Sequence, residues 1–128
     1  MFFCLEAAGT TLTATPPDPS FAIETRDLTL VWEYTLDGSV AFAQFVNITG
    51  GGSERIARQL SQGGSVDVDA KYQDRFTVVI TDSQASLKIR GVQRSDRGKY
   101  RFNLSPTGVG GILHEIEVIV QGNTNSFL

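Results

Sequence analysis

Leu87-Lys88-Ile89-Arg90-Gly91-Val92-Gln93-Arg94-Ser95-Asp96-Arg97-Gly98-Lys99-Tyr100-Arg101-Phe102 is the stretch from which the rest of the chain can be read. Leu87 and Ile89 are separated by one polar residue, and so are Tyr100 and Phe102, the period-two spacing of a half-buried strand. Between them lies Ser95-Asp96-Arg97-Gly98, a polar run of turn-forming residues. Two strands with a turn between them follow.

The same grammar extends in both directions. Phe76 to Ile80 pairs with Ala85 to Ile89 across Asp82-Ser83, and Leu113 to Val120 follows a loop holding Pro106, Gly108, Gly110 and Gly111. Upstream, Leu28 to Leu36 alternates Leu28, Leu30, Trp32 and Tyr34 before Asp37-Gly38, a hairpin signal. Val40 to Ile48 and Glu54 to Leu60 are strands around the turn Gly50-Gly51-Gly52-Ser53. Thr10 to Thr15 and Phe21 to Thr25 are edge segments split by Pro16-Pro17-Asp18-Pro19, because proline cannot donate to a ladder. About nine strands with no helical period, no repeat and no second domain predict an all-β, two-sheet antiparallel sandwich. Residues 10–120 are expected to form this domain, with 1–9 expected to be a signal remnant or an appended segment and 121–128 a linker or tail.

Composition agrees. The chain has 128 residues, 41% hydrophobic and 20% charged, enough apolar surface for one core. A net charge of -3 argues against nucleic acid, which needs clustered Lys and Arg. Cys4 is the only cysteine, so no disulfide forms within the chain, although an intermolecular bridge through Cys4 stays open.

The opening stretch resembles the E–F region of variable-type immunoglobulin domains, which ends Asp-x-Gly-x-Tyr-x-Cys. The resemblance spans roughly residues 20 to 120. It implies that Asp96 and Gly98 shape the corner, that Tyr100 is the corner tyrosine, and that Arg75 pairs with Asp96 beneath the sandwich. It also implies cysteines where this chain has Trp32 and Phe102, and a core tryptophan on the next strand, whose place Phe42 is expected to take. A disulfide contributes ~2–4 kcal/mol. Two facing aromatics, each burying ~150–250 Å², offset much of its loss. The runs Asp27 to Gly38 and Ile89 to Asp96 further resemble the membrane-distal domain of cnidarian allorecognition (Alr) receptors. Those are cell-surface proteins whose outer, variable-type domains bind like to like.

No catalytic set emerges. His114, the only histidine, reads as an exposed strand residue, since a metal site needs several converging ligands. No serine sits in a nucleophile elbow. The glycines at 50–52, 63–64 and 108–111 read as turns, lacking the strand–turn–helix setting of a phosphate loop. Asp67, Asp69 and Asp74 lack the spacing of a calcium loop. Trp32 and Tyr34 read as core rather than as a ligand-stacking pair. The expectation is a binding domain with no enzymatic activity, cofactor, metal or small-molecule substrate.

Binding must then use a face or the loops. Alternation places Ile116, Val118 and Val120 inward and Glu115, Glu117 and Ile119 outward. It places Arg101 and Asn103 outward and, if Phe42 points inward, Ala41, Ala43, Phe45 and Asn47 outward too. The candidate face is therefore Ala43, Phe45, Arg101, Glu115 and Glu117, a self-complementary patch suited to a two-fold contact. An ordinary solvated sheet with weak ion pairs is the alternative. Asn47 and Asn103 head two glycosylation triplets, expected on this same face. The resemblance implies homophilic recognition on the extracellular side of the plasma membrane, in the ectodomain of a type I membrane protein. That protein's contact with the membrane runs through parts beyond this chain. Heterophilic binding through the loops at Asp37-Gly38 and 105–111, or a structural role in a multidomain adhesion protein, are the rival readings.

Overall fold

The period-two runs become strands in the computed structural model, which describes residues 9–60 and 64–122. The strands are β1 (Thr11–Ala14), β2 (Ser20–Ile23), β3 (Leu28–Thr35), β4 (Val40–Asn47) and β5 (Glu54–Gln59). They continue with β6 (Asp67–Val68), β7 (Phe76–Ile80), β8 (Gln84–Ile89), β9 (Gly98–Pro106) and β10 (Ile112–Gln121). The short β6 is the one strand that sequence periodicity does not reveal. One sheet has the order β1-β3-β8-β7 and the other β2-β10-β9-β4-β5-β6. The prolines between β1 and β2 mark the point where the chain leaves the first sheet for the second. There β2 runs parallel to β10, with Ser20 opposite Val118. Every other pairing is antiparallel. This is the architecture of an immunoglobulin-like, variable-type sandwich. Residues 1–8 and 123–128, with Cys4 and most of the expected tail, lie outside the described residues.

Trp32 of β3 is the centre of the core and is fully buried. Its ring lies 5.4 Å from those of both Phe45 and Phe102, which are themselves 4.9 Å apart, and Tyr34 stacks on Phe102 at 5.9 Å. The two positions where the resemblance expects cysteines thus hold rings in direct contact across the sheets. Aromatic pairs contribute about 0.5–1.5 kcal/mol each beyond their burial, so this cluster offsets much of what a cross-link supplies. Leu87 and Ile89 pack against it from β8.

The E–F corner is held from three sides. The Arg75 guanidinium grips the buried Asp96 carboxylate through two bonds of 2.7 and 2.9 Å, and the backbone N–H of Gln93 donates to the same group at 2.7 Å. Asp96 raises the Arg75 pKa above its ordinary value, chiefly through these side-chain bonds. The Tyr100 hydroxyl donates to the Asp96 carbonyl, closing the tyrosine corner. At Gly98, with φ of +142°, an added Cβ would sit 2.0 Å from the Thr49 hydroxyl oxygen, so glycine is required twice over.

Strand β4 departs from the expected phase. Opposite β9, Val40 pairs with Pro106 but Phe42 with Ser105, so one extra residue bulges out of β4. The bulge reverses the alternation. Val40, Ala43 and Phe45 point inward, while Phe42, level with the outward Ser105, is only half-buried. Phe45, not Phe42, fills the core beside Trp32.

Candidate protein-binding face

The outer face of the six-stranded sheet is built from rows of residues that the ladder places side by side. One row runs Leu113, Asn103, Gln44, Arg58 across β10, β9, β4 and β5, and the next runs Glu115, Arg101, Val46, Arg55. Lys99 stands beside Glu117 in the row below. Ser105 and Phe42 stand in the row above, where Leu60, just past β5, adds an exposed side chain. Leu113 is 64% and Leu60 59% exposed, both large apolar side chains in water. Val46 is 4% exposed although it lies outside the core cluster, between Arg101 and Arg55 in its row.

Of the residues expected on this face, Arg101, Glu115 and Glu117 stand there. Arg101 and Glu115 pair across the strands at 2.8 Å. Ala43 and Phe45 do not: both have 0% exposure and belong to the core, because of the β4 bulge. The sequence held a signal for this in Gln44. Turning Phe42 inward also turns Gln44 inward, whereas the observed phase buries Ala43 and Phe45 and leaves the amide outside. Asn103 faces outward in the middle of the face. Asn47 does not share that face, because it stands opposite the inward Tyr100. Its Oδ1 accepts from the Thr49 N–H at 3.0 Å and from the Thr49 hydroxyl at 2.6 Å.

Two other regions bear on chemistry. At the lower end of the sandwich a cavity of about 380 Å³ is lined by Asn47, Glu54, Tyr72, Arg75 and Tyr100 among others. Most of its charges are already paired: Lys71 donates to Glu54 at 2.8 Å, the Tyr72 hydroxyl donates to the same carboxylate, and Arg75 pairs with Asp96. Bonds from Lys71 first, and then Tyr72, hold the Glu54 pKa below its ordinary value. Burial first, and then Glu54, raise Tyr72 to about 12. Asp69, weighed above as a cation ligand, instead pairs with Arg55 at 3.1 Å. At the upper end, the Gly108 N–H donates to the Asp37 carbonyl at 2.8 Å and the Val109 N–H to the Asp37 carboxylate at 2.9 Å. These bonds tie the β3–β4 and β9–β10 loops into one tip. His114 is turned inward, not outward, and its Nδ1 accepts from the Trp32 indole N–H at 3.0 Å.

The fold is that of an immunoglobulin-like sandwich. Its likeness to a structure of murine CRIg has a TM-score of 0.68 at 21% identity, covering 91% of this chain and 99% of that one. A chain from a structure on T cell specificity and activation by the bacterial superantigen toxic shock syndrome toxin-1 aligns with a TM-score of 0.71 at 13% identity, over 88% and 100% of the two chains. No protein-family model and no curated protein matches the sequence.

Proposed function

We propose that this chain is the recognition domain of a cell-surface receptor and binds a second copy of itself on an opposing cell, in discrimination of self from non-self. The observation that carries the reading is the outer face of the six-stranded sheet. It combines exposed Leu113 and Leu60 with charges of both signs in adjacent strands, which suits a two-fold contact between identical surfaces. The family resemblance of the Asp27–Gly38 and Ile89–Asp96 runs supports the allorecognition setting. Adhesion is weak per contact and multiplied by many copies between membranes. Binding, not catalysis, is the activity.

A second reading rests on the loop tip. The Asp37-anchored loops present Val109 at 63% exposure on a pre-ordered end, a suitable contact for a different protein. Sedimentation of the 128-residue chain from micromolar to near-millimolar concentration, with aggregation of beads coated in it, separates the two. Reversible dimers or bead clustering are expected. A strict monomer whose beads stay dispersed gives the heterophilic tip the better claim.

A further inference from the structure

The two glycosylation triplets stand in unlike places, and the residues that follow each one differ in kind. Asn47-Ile48-Thr49 closes β4 and runs into Gly50-Gly51-Gly52. The chain is bent there. The Asn47 Oδ1 accepts from the Thr49 N–H at 3.0 Å and from its hydroxyl at 2.6 Å, and Gly50 and Gly51 turn with φ of +70° and +81°. The Asn47 side chain lines the lower cavity of about 380 Å³, with its amide at the Tyr72 hydroxyl. Asn103-Leu104-Ser105, by contrast, lies inside β9, where Asn103 is paired on both sides, with Leu113 and with Gln44. Pro106 follows it at once.

An oligosaccharide is transferred to asparagine while the chain is entering the secretory compartment, before a sandwich such as this one closes. The local chemistry of each triplet therefore decides its fate. The transferase takes the triplet as a loop, in which the hydroxyl residue turns back toward the asparagine amide. Proline holds the residue before it in extended backbone, which denies Ser105 that loop. The glycines after Thr49 permit it, and in the folded chain Asn47 and Thr49 still face each other through two hydrogen bonds.

Resting on the cell-surface reading above, we infer that Asn47 carries an N-linked oligosaccharide and that Asn103 stays bare. In the transfer, the Asn47 Nδ2 attacks the anomeric carbon of the first N-acetylglucosamine of a lipid-pyrophosphate-linked oligosaccharide. The bond from that carbon to the phosphate oxygen breaks, and the lipid pyrophosphate leaves. Nδ2 gives up one proton to a base of the transferase and keeps the other. The lower cavity leaves room for the first sugar beside Asn47. The placement bears on self-contact. A glycan at Asn103 would stand in the middle of the outer face, in the row of Leu113, Gln44 and Arg58. One at Asn47 leaves that face clear.

Expression of the 128-residue chain behind a secretion signal in animal cells tests the assignment. Carbohydrate is read on cell-associated and secreted chain together, so the result does not depend on folding. Enzymatic release of the glycan converts the asparagine that bore it to aspartate, which peptide mass mapping locates. Conversion is expected at position 47 and not at 103. Asn47→Gln is expected to remove all the carbohydrate, and Asn103→Gln none of it. Pro106→Ala is expected to make Asn103 a second acceptor, and the added glycan to weaken self-association by at least about tenfold in sedimentation. Sugar on Asn103 of the wild type, or a wild type with none on Asn47, overturns the inference while leaving self-recognition standing. A wild type glycosylated at Asn47 alone that neither dimerises nor clusters beads overturns the homophilic reading and supports the assignment.

Discussion

Trp32 carries a polar atom into the middle of an apolar core, and what becomes of that atom decides what the residue costs and contributes. A buried indole N–H needs an acceptor. His114 supplies one at 3.0 Å from the inward face of β10. The same period that turns Ile116 and Val118 inward reaches His114 one step earlier, so the histidine belongs to the core's polar lining. Two substitutions separate the ring from its hydrogen bond. Trp32→Ala removes a large, fully buried aromatic and is expected to destabilise by about 3–5 kcal/mol in denaturant unfolding. His114→Ala leaves the core intact but strands the indole N–H, at about 1–3 kcal/mol. A His114→Ala variant as stable as wild type would mean that water satisfies the indole and that the pair contributes little.

At the scale of elements, β4 is where local chemistry and strand phase part company. Phe42 and Phe45 are both aromatic residues three positions apart, and an unbroken strand cannot turn both inward. The bulge opposite Ser105 resolves the choice in favour of Phe45, which packs between Trp32 and Phe102. Phe45→Asp is therefore expected to abolish the cooperative unfolding transition, since it buries a charge in the core. Phe42→Asp places the same charge on the half-buried outer face and is expected to cost less than about 2 kcal/mol. Comparable losses from the two would place the bulge elsewhere. The case also marks what the chain's own letters disclose. The E–F corner was legible through its resemblance to a known pattern: Asp96 and Tyr100 act on neighbours within a few positions, whereas Gly98 fits against the distant Thr49 and Arg75 reaches Asp96 across the chain. The inward phase of β9 and β10 was legible because each keeps an unbroken alternation. A bulge is set by the partner strand's register, and within β4 the one sign of it is Gln44, a polar residue that the Phe42-inward phase would turn into the core. Arg101, Glu115 and Glu117 were accordingly placed on the outer side of β9 and β10, where they stand, and Ala43 and Phe45 were misplaced on β4.

Across the whole molecule, the phenol groups report on both ends of the sandwich at once. The chain has three tyrosines, and each uses its hydroxyl proton to bind an oxygen. Tyr34 donates to the Thr81 carbonyl at 2.7 Å, Tyr100 to the Asp96 carbonyl at the opposite end, and Tyr72 to Glu54 in the lower cavity. All three have pKa values raised above the usual tyrosine range: Tyr34 by burial and then Asp82, Tyr100 by burial and then Asp96, and Tyr72 to about 12 by burial and then its bond to Glu54. In the unfolded chain the phenols ionise near pH 10. Above that pH the unfolded state has released protons that the folded state still holds. The stabilisation is therefore complete below about pH 10 and is lost as pH climbs towards the folded values. Phenolate absorbance is expected to stay flat through pH 10 and then rise in a single step, together with loss of the far-ultraviolet circular dichroism signal. Both should respond to the same denaturant concentration, because ionisation waits on unfolding. A phenolate that forms near pH 10 with the circular dichroism intact would show that one ring stands free in water. Repeating the titration on Tyr72→Phe would then tell whether the lower cavity, the least buried of the three sites, is the one that opens.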